Sequence, residues 1–487
     1  MESYEFSLVF EAVSERRILM NIAPHLVNPM GFLFPVYKRS RRSTFTINLG
    51  MWVYDGLSLF RSPKIHRNLS KKDVQKEEPA LEATGLKGAP LYYDCSTDDA
   101  RLTLETALDA KKNGAVIATY TKVIAFLHGE NGRIEGVRIQ DQLTGEEKEL
   151  RANSVINATG PWSDRTRLLG KEDGVTRLRP TKGIHIVVDH SKIPIENAVV
   201  CFHPVDGRVL FAIPWGSRTY IGTTDTDFDE DFGEVAASSD DVDYLLEVGN
   251  IYFPSANLKR EDVISTWAGV RPLIAPEDVV DESSVSREHV ISVGADGLIT
   301  IAGGKLTTYR RMASELIDKT VDWLRLTDSL PTLKKGKDTA TEALPGGVGW
   351  PDDDDHSKVL EQLMEVCDCD VSKETALYLI QSYGMCAFDV VALAAKEPRL
   401  LQPLNEGQPE ILAQVQYAIR KEMAFRLSDI LIRRTQIFFK ERNQGLDCVE
   451  LVSTEMASVL GWSEEERLLA IEEYRLEVER SRQWQQD

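Results

Sequence analysis

The sequence predicts an α/β protein in which a mixed sheet, an antiparallel sheet and a C-terminal helical domain follow one another. Three observations support this prediction. Residues 96–164 read as helix, strand, antiparallel meander and strand, residues 175–290 are rich in short apolar or alternating runs, and residues 358–487 have helical spacing almost throughout. The 487 residues, 42% of them hydrophobic, suffice for two or three domains with a large core.

Net charge and cysteine content narrow the classes of function. The formal net charge of −20 argues against nucleic acid as the main partner, because a phosphate backbone attracts basic surfaces. The six cysteines form no C-x-x-C pair and no cluster with histidine at zinc spacing, so we predict reduced thiols and no metal site. The sequence shows no secretory signal and no run of 18 apolar residues, which predicts that nothing spans a bilayer.

The first 90 residues predict a helix followed by polar loops. Residues 1–24 have apolar positions at helical spacing up to Pro24. The basic cluster KRSRR (38–42) precedes the aromatic stretch LGMWVYDGLSLF (49–60), a combination that can lie on an anionic membrane surface. A solvated loop beside a core helix is the alternative. The polar segment 62–90 predicts a loop with one short helix.

A helix and a strand are predicted next. The helix 96–115 begins at Ser96 as its cap, has acidic residues in its first turn and closes at Gly114. The apolar stretch AVIATY (115–120) predicts the strand that follows.

An antiparallel meander occupies 121–152, because Asn131-Gly132 is a strong hairpin signal. The apolar strand SVINATG (154–160) ends it. A helix, strand, meander and strand in this order are typical of a parallel α/β sheet with a β insertion.

Residues 175–290 predict a mainly antiparallel sheet that suits a substrate-binding layer. One helix, 238–254, interrupts it, with Ser238 and Asp241 at capping-box spacing. The predicted strands are the apolar or alternating runs GIHIVVD (183–189), RVLFAIPW (208–215), TYIGTTD (219–225) and HVISVG (289–294).

The rest of the chain predicts a separate helical domain after the loop-like residues 331–357. Its last helix begins at Ser463, where Glu466 completes a capping box. The apolar face of that helix is predicted, from helical spacing, to comprise Leu468, Ile471, Tyr474 and Val478.

The stretch AGGKLTTYR (302–310) lies between the apolar run GLITI and a predicted helix. It is not a P-loop, because Leu306 stands where a Ser or Thr must follow the lysine. Gly303 and Gly304 let a backbone approach a flat or anionic ligand closely, and the helix offers unpaired amides at its positive end. An ordinary strand-to-helix turn is the alternative.

Seven stretches, in this order, resemble FAD-dependent glycerol-3-phosphate dehydrogenase, a family of glutathione-reductase-like flavoproteins related to D-amino-acid oxidase. The resemblance covers essentially the whole chain. The stretches are YYDCSTDDARL (92–102), SVINATGPWSD (154–164), RPTKGIHIVV (179–188), IPWGSRTYIGTTDTD (213–227), STWAGVRPLI (265–274), GLITIAGGKLTTYRRMA (297–313) and EALPGG (342–347).

The resemblance implies a glutathione-reductase-like FAD-binding fold with an antiparallel-sheet substrate domain and a C-terminal helical domain. The implied boundaries are 91–170 and 291–330 for the remainder of the FAD-binding domain, 1–90 and 171–290 for the substrate-binding or cap domain, and 345–487 for the helical domain. The G-x-G-x-x-G loop that holds the pyrophosphate in this family is not found in the sequence. We therefore expect that the family's N-terminal βαβ unit is missing and that the chain as written binds FAD weakly.

The resemblance also implies which residues hold FAD. A strand ending in two glycines lies against the flavin ring in such proteins, and the helix start after it stabilises the negative charge of reduced flavin. Val123 matches a position whose backbone contacts the adenine side. The implied cofactor residues are Val123, Ala158, Thr159, Gly160, Gly303, Gly304, Leu306, Thr307 and Thr308.

The implied reaction is oxidation of sn-glycerol 3-phosphate to dihydroxyacetone phosphate, with a hydride passing from C2 to FAD. Arg271 is the first candidate for the phosphate, which arginine binds bidentately, and a salt bridge is its alternative role. Lys305 is the second cation, binding substrate or polarising the developing alkoxide, and Arg287 is the third. His185 is the candidate base, with a satisfied core histidine as the alternative.

Three further polar residues are given lesser roles. His203 and His289 rank below His185 as candidate bases. Asp225, in GTTDTD, is predicted to be structural and to form a turn.

Three functions are open at this point. The leading one is a flavoenzyme that feeds electrons to a quinone, located in the cytoplasm or peripherally on the cytoplasmic face of the membrane. The second is a glycerophosphate oxidase that passes electrons to oxygen. The third is a cofactor-free fragment acting as a binding module. A homodimer is an additional expectation.

Overall fold

A computed structural model of the chain describes residues 6–38, 40, 47–48, 50–52, 64–170, 178–274, 289–332, 336, 338–367 and 369–486. Arg287 and most of the basic and aromatic stretches at 38–42 and 49–60 lie outside the described residues. Trp52, which is described, is 53% exposed and packs edge-on against the ring of His66.

The described strands form one large sheet and two small ones. Numbered in chain order, they are β1 (Asn28–Leu33), β2 (Val36–Tyr37), β3 (Arg67–Ser70), β4 (Leu86–Ser96), β5 (Thr121–His128), β6 (Ile134–Asp141), β7 (Glu147–Arg151), β8 (Ile156–Asn157), β9 (Leu178–Asp189), β10 (Ala198–Phe202), β11 (Val209–Trp215), β12 (Arg218–Gly222), β13 (Thr226–Asp227), β14 (Val263–Ile274), β15 (His289–Val293) and β16 (Ile299–Gly303).

The large sheet has ten strands in the order β13-β9-β12-β11-β10-β1-β4-β2, with β14 beside β9 and β3 beside β4. All of its pairs are antiparallel except β1 with β10. The antiparallel sheet expected from the middle of the chain is confirmed, but four strands from the first 96 residues extend it. The prediction of a loop with one short helix at 62–90 was wrong for β3 and for the start of β4. Gly88 and Pro90 concealed β4 in the sequence, because both residue types are unfavourable in the middle of a strand.

The two small sheets are formed by residues 121–157 and 289–303. The hairpin meander β5-β6-β7 is confirmed, and Gly132 in its first turn has φ +77°. In the sheet β15-β16-β8, the strands β16 and β8 run parallel. HVISVG (β15) was expected in the antiparallel substrate sheet. It pairs with β16 instead, because a short turn at Gly294–Gly297 joins the two strands and sequential strands pair most readily.

The strand predicted for AVIATY (115–120) is wrong. The side chain of Val116 is 94% exposed, and the described part of the chain places no strand beside this stretch. An apolar run becomes a strand only where a neighbouring backbone satisfies its N–H and C=O groups.

Helices account for most of the remaining described structure. The α-helices are Phe6–Ile22, Lys71–Glu77, Asp99–Lys112, Ser163–Arg167, Ser239–Tyr252, Tyr309–Leu326, His356–Val366, Lys373–Tyr383, Ala387–Lys396, Leu412–Glu422, Ile437–Lys440, Val449–Leu460 and Glu464–Ser481. The chain also has 3-10 turns, among them Gly160–Trp162 and Leu306–Thr308, and a π-helix at Asp429–Arg434.

The capping predictions are largely confirmed. Ser238 and Ser463 each cap a helix through a complete capping box. The cap of the helix Asp99–Lys112 is Asp98 and not Ser96, because Ser96 is the last residue of β4 and the Asp98 carboxylate accepts from the amide of Arg101.

The C-terminal helices share one large core. Ile471, Tyr474 and Val478 on the last helix are buried, as predicted, whereas Leu468 is 52% exposed. Lys373–Lys396 is long and apolar enough to cross a membrane by composition, but it consists of two helices broken at Gly384, and its apolar residues contribute to that core.

Buried ionic groups join the helical domain to the helix Asp99–Lys112. The guanidinium of Arg101 donates to the Glu422 carboxylate at 2.7 Å and to the Ser382 carbonyl at 2.9 Å, and it lies over the ring of Tyr383. Arg101 and Glu422 are almost fully buried. The helical domain is therefore fixed against the α/β part by charge as well as by apolar packing.

Candidate active site

His185 and Arg271 lie on neighbouring strands of the large sheet. His185, on β9, stands opposite Gly222 of β12 on one side and opposite Trp267 of β14 on the other. Arg271 is four residues further along β14. Side chains of alternate residues in a strand share a face, so Gly183 and His185 lie on the same face of β9.

Two glycines make room for these side chains. A Cβ atom at Gly222 would overlap the imidazole of His185, and a Cβ at Gly183 would overlap the guanidinium of Arg271. The imidazole therefore lies over the backbone of Gly222, and the guanidinium lies over the backbone of Gly183.

The guanidinium of Arg271 is held by the loop after β12. It donates to the Thr223 hydroxyl at 2.9 Å, to the Asp225 carboxylate at 3.0 Å and to the Thr224 carbonyl at 3.2 Å. The side chain keeps 31% exposure. Asp225, predicted to serve only a turn, is thus the ion-pair partner of Arg271, and the salt bridge foreseen as an alternative role for Arg271 is present.

The environment of His185 favours the neutral imidazole. Burial first, and then the positive charge of Arg271, lower the pKa of His185 from 6.5 to about 4. Its Nδ1 atom is buried and has no hydrogen-bond partner among the described residues. At neutral pH this side chain can accept a proton.

The end of β16 brings the predicted cofactor residues together. Gly303 and Gly304 have φ +75° and +86°, values that L-residues rarely adopt. Leu306–Thr308 then form a 3-10 turn that leads into the helix Tyr309–Leu326. The first amides of such a helical segment have no partner within it and can face a ligand.

A Cβ at Gly304 would overlap the side chain of Met312. The backbone at Gly304 is therefore shaped by packing inside the protein as well as by any ligand.

The strand β8, which pairs with β16, places Ala158, Thr159 and Gly160 beside that strand. The Thr159 hydroxyl donates to the Asn157 side chain at 2.7 Å, and a Cβ at Gly160 would meet no atom within 4 Å. The turn Gly160–Trp162 packs against both β16 and β14. Because β14 also packs against β16, the cofactor residues and the Arg271 strand border one region.

Other predicted residues lie elsewhere. Val123 is in the meander and packs near the start of β16, beside the cluster that contains Leu298. His203 stacks on Tyr244 and is not brought beside His185. His289 stands opposite Gly303 in the pair β15-β16, next to the predicted cofactor glycines, and its imidazole pairs with Glu315 at 2.9 Å. The described residues contain no group of three His, Cys, Asp or Glu side chains that could hold a metal ion.

The sequence analysis missed several residues of the site. Trp267 stacks on His185, with ring centroids 4.8 Å apart and an interplanar angle of 23°. Gly183 and Gly222 shape the surface, and their signal was a lone glycine within an apolar strand, which often marks a close approach. Trp267 gave no such signal, because an aromatic residue in a strand is ordinary.

The residues at the end of β16 fit the flavin end of FAD. Two glycines with positive φ leave the backbone bare, Lys305 supplies a cation, and a helix start follows. This combination of groups suits a planar ring that becomes negatively charged on reduction.

Comparisons with known proteins cover almost the whole chain. The family model of the FAD dependent oxidoreductases matches residues 2–310, and that of the C-terminal domain of alpha-glycerophosphate oxidase matches residues 337–467. The aerobic glycerol-3-phosphate dehydrogenase of Staphylococcus haemolyticus is 36% identical over 98% of this chain and 85% of its own length. Glycerol-3-phosphate dehydrogenase 2 of Mycobacterium bovis is 37% identical over 95% of this chain and 76% of its own length.

Solved structures of similar proteins indicate the same family. The glycerol-3-phosphate dehydrogenase of Bacillus halodurans, complexed with FAD, matches with a TM-score of 0.79 and 31% identity, over 96% of this chain and 85% of that one. The FAD-bound L-alpha-glycerophosphate oxidase of Mycoplasma pneumoniae, at 16% identity and a TM-score of 0.50, shares the fold. The expected FAD-binding α/β fold is confirmed, and the chain belongs to the FAD-dependent glycerol-3-phosphate dehydrogenase family of oxidoreductases.

Proposed function

We propose that this protein oxidises sn-glycerol 3-phosphate at C2 to dihydroxyacetone phosphate and passes the electrons to a quinone. The printed names of its relatives support the substrate. The single observation that carries the proposal is the placement of a neutral imidazole beside a held guanidinium, whose strand β14 packs against β16 at the proposed flavin end of the site.

Arg271 binds the phosphate. Thr223 and Asp225 fix the guanidinium before substrate arrives, so little ordering is needed on binding. Asp225 also offsets part of its positive charge, and a phosphate dianion therefore calls for a second cation. Among the described residues, no carboxylate forms an ion pair with Lys305, which leaves its ammonium group able to serve as that cation.

His185 accepts the proton of the 2-hydroxyl group. A base must be unprotonated before the reaction, and the lowered pKa keeps the imidazole neutral throughout the physiological range. Arg271 assists, because its positive charge disfavours the imidazolium until substrate phosphate neutralises it. FAD, when bound, accepts the hydride that leaves C2.

A quinone acceptor places the enzyme at a membrane surface. The exposed Trp52 and the basic cluster at 38–42 support peripheral binding on the cytoplasmic face. Sedimentation with anionic vesicles tests it, and binding that persists equally with neutral vesicles would contradict an electrostatic contribution. Peroxide formed in step with product, with no reduction of added quinone, would support the oxidase alternative instead.

The base is tested by the variant His185→Asn. In FAD-loaded enzyme mixed anaerobically with glycerol 3-phosphate, the rate of flavin bleaching should fall by about 10²- to 10⁴-fold, which is the usual contribution of a positioned base. His203→Asn is the matched control, since this histidine stacks on Tyr244 away from the site. Bleaching of His185→Asn at the wild-type rate would rule out the assigned role.

A further inference from the structure

We propose that Trp267 is a positioning residue for His185, and that the C-terminal helical domain holds Trp267 in place through Phe439. The part of this inference that concerns turnover rests on the proposed function, in which His185 is the base. The part that concerns the imidazole itself stands on the packing around it.

Trp267 covers one face of the imidazole. The two residues are directly opposite each other on β14 and β9, and their rings are stacked at 4.8 Å with an interplanar angle of 23°. Gly222 flanks the imidazole from β12, and the ring of Tyr220 meets it edge-on at 5.9 Å. Rotation of His185 away from this position would require Trp267 to move.

Trp267 is itself held by aromatic rings from two parts of the chain. Within the sheet, it contacts Trp215 at 5.9 Å and Tyr220 at 5.2 Å. From the helical domain, Phe439 meets it edge-on at 5.4 Å. Edge-on pairs of this kind are favourable and have a defined geometry.

The segment that carries Phe439 is hydrogen-bonded to the sheet. The Ser265 hydroxyl donates to the Phe439 carbonyl at 2.6 Å, and the Arg218 guanidinium donates to the Lys440 carbonyl at 2.6 Å. The helix Ile437–Lys440 thus docks on β12 and β14, and a continuous chain of contacts leads from the helical domain through Trp267 to His185.

Charged groups of both signs surround this stack. Arg271 is the charged group that acts on His185 directly, and its partner Asp225 offsets part of its charge. The Lys440 ammonium lies over the ring of Trp215, 5.0 Å from its centroid. The phenol of Tyr220, facing the imidazole, has a pKa raised to about 12 by burial and by Asp99, so it stays neutral. With Trp267 in place, water cannot reach this face of the ring, and no anion among the described residues stands against it. A protonated His185 would therefore be poorly stabilised.

Four variants test the inference, and histidine-selective NMR between pH 5 and 8 is the primary readout. The resonance of His185 is assigned with His185→Asn. In the wild type and in Trp267→Phe, which keeps a stacking ring, the imidazole should remain neutral across this window. In Trp267→Ala, water reaches the ring, and the midpoint should move from about 4 toward the ordinary 6.5.

The pair Phe439→Leu and Phe438→Leu tests the contribution of the helical domain with the same substitution at adjacent positions. Phe438 is 4% exposed and packs inside the helical core against Tyr474. Phe439→Leu should shift the His185 midpoint upward. The ring of Phe438 meets Phe439 edge-on at 5.1 Å, so Phe438→Leu should lower thermal stability and shift the midpoint by much less than Phe439→Leu does. If Trp267→Ala fails to fold, this pair decides the question.

The pH dependence of kcat/KM is the second readout. Because the base must be unprotonated, the acidic limb in Trp267→Ala should move up with the NMR midpoint, so its activity relative to wild type should be lower at pH 6 than at pH 8. An imidazole that stays neutral in both Trp267→Ala and Phe439→Leu would overturn the inference. Full turnover by His185→Asn would instead remove the base assignment, while the NMR titrations would still decide the role of Trp267.

Discussion

Replacing Arg271 by methionine removes the proposed phosphate ligand while keeping a side chain of similar length. A hydrogen bond to a charged group contributes about 1.5–3 kcal/mol. Since about 1.4 kcal/mol corresponds to a tenfold change, kcat/KM for glycerol 3-phosphate should fall roughly 10- to 150-fold. Because Asp225, 3.0 Å away, already offsets part of the charge, we expect the lower half of this range.

The assay compares glycerol 3-phosphate with glycerol, which lacks the phosphate. The loss should appear with the first substrate and be much smaller with the second. Arg179→Met is the matched control, because Arg179, on the neighbouring strand β9, is likewise paired with an aspartate, Asp227, at 2.7 Å. An unchanged kcat/KM in Arg271→Met, or an equal loss in Arg179→Met, would refute the reasoning.

Three further predictions concern stability and the cofactor. Glu422→Gln removes the carboxylate nearest to the buried Arg101, with Glu105 4.0 Å from its guanidinium, and should lower the free energy of unfolding by about 3–5 kcal/mol in denaturant titrations. Glu149→Gln, in an exposed pair, should cost about 1 kcal/mol or less. With FAD added in excess, Gly304→Val should fail to bind FAD but leave the C-terminal helices folded, because φ +86° and the contact with Met312 exclude a branched side chain. Under the same conditions, Lys305→Ala should bind FAD but lose turnover. Visible absorbance and circular dichroism check both variants, and the opposite pattern would reverse the roles assigned along this turn.

Local signals in the sequence predicted local structure well. Capping boxes, the Asn-Gly turn and the strand-to-helix turn at Gly303 depend on a few neighbouring residues, and the structure has all of them. The motif stretches also identified the family, because they follow one another in the family's order along essentially the whole chain.

Long-range pairing could not be predicted from such signals. The ion pair of Arg271 with Asp225 joins residues 46 positions apart, and the stack of His185 on Trp267 depends on the register between β9 and β14. Neither leaves a local pattern in the sequence. The strand predicted for AVIATY was wrong for a related reason. Its composition suits a strand, but a strand forms only where a partner strand from elsewhere in the chain pairs with it.

The most direct test of the central claim is the formation of dihydroxyacetone phosphate from sn-glycerol 3-phosphate, with FAD added and an artificial two-electron dye as acceptor. Wild-type protein should form one product molecule for each dye molecule reduced, and His185→Asn and Arg271→Met should each lower the rate. No product above a protein-free control, or product formed at the wild-type rate by a variant carrying both substitutions, would contradict the account.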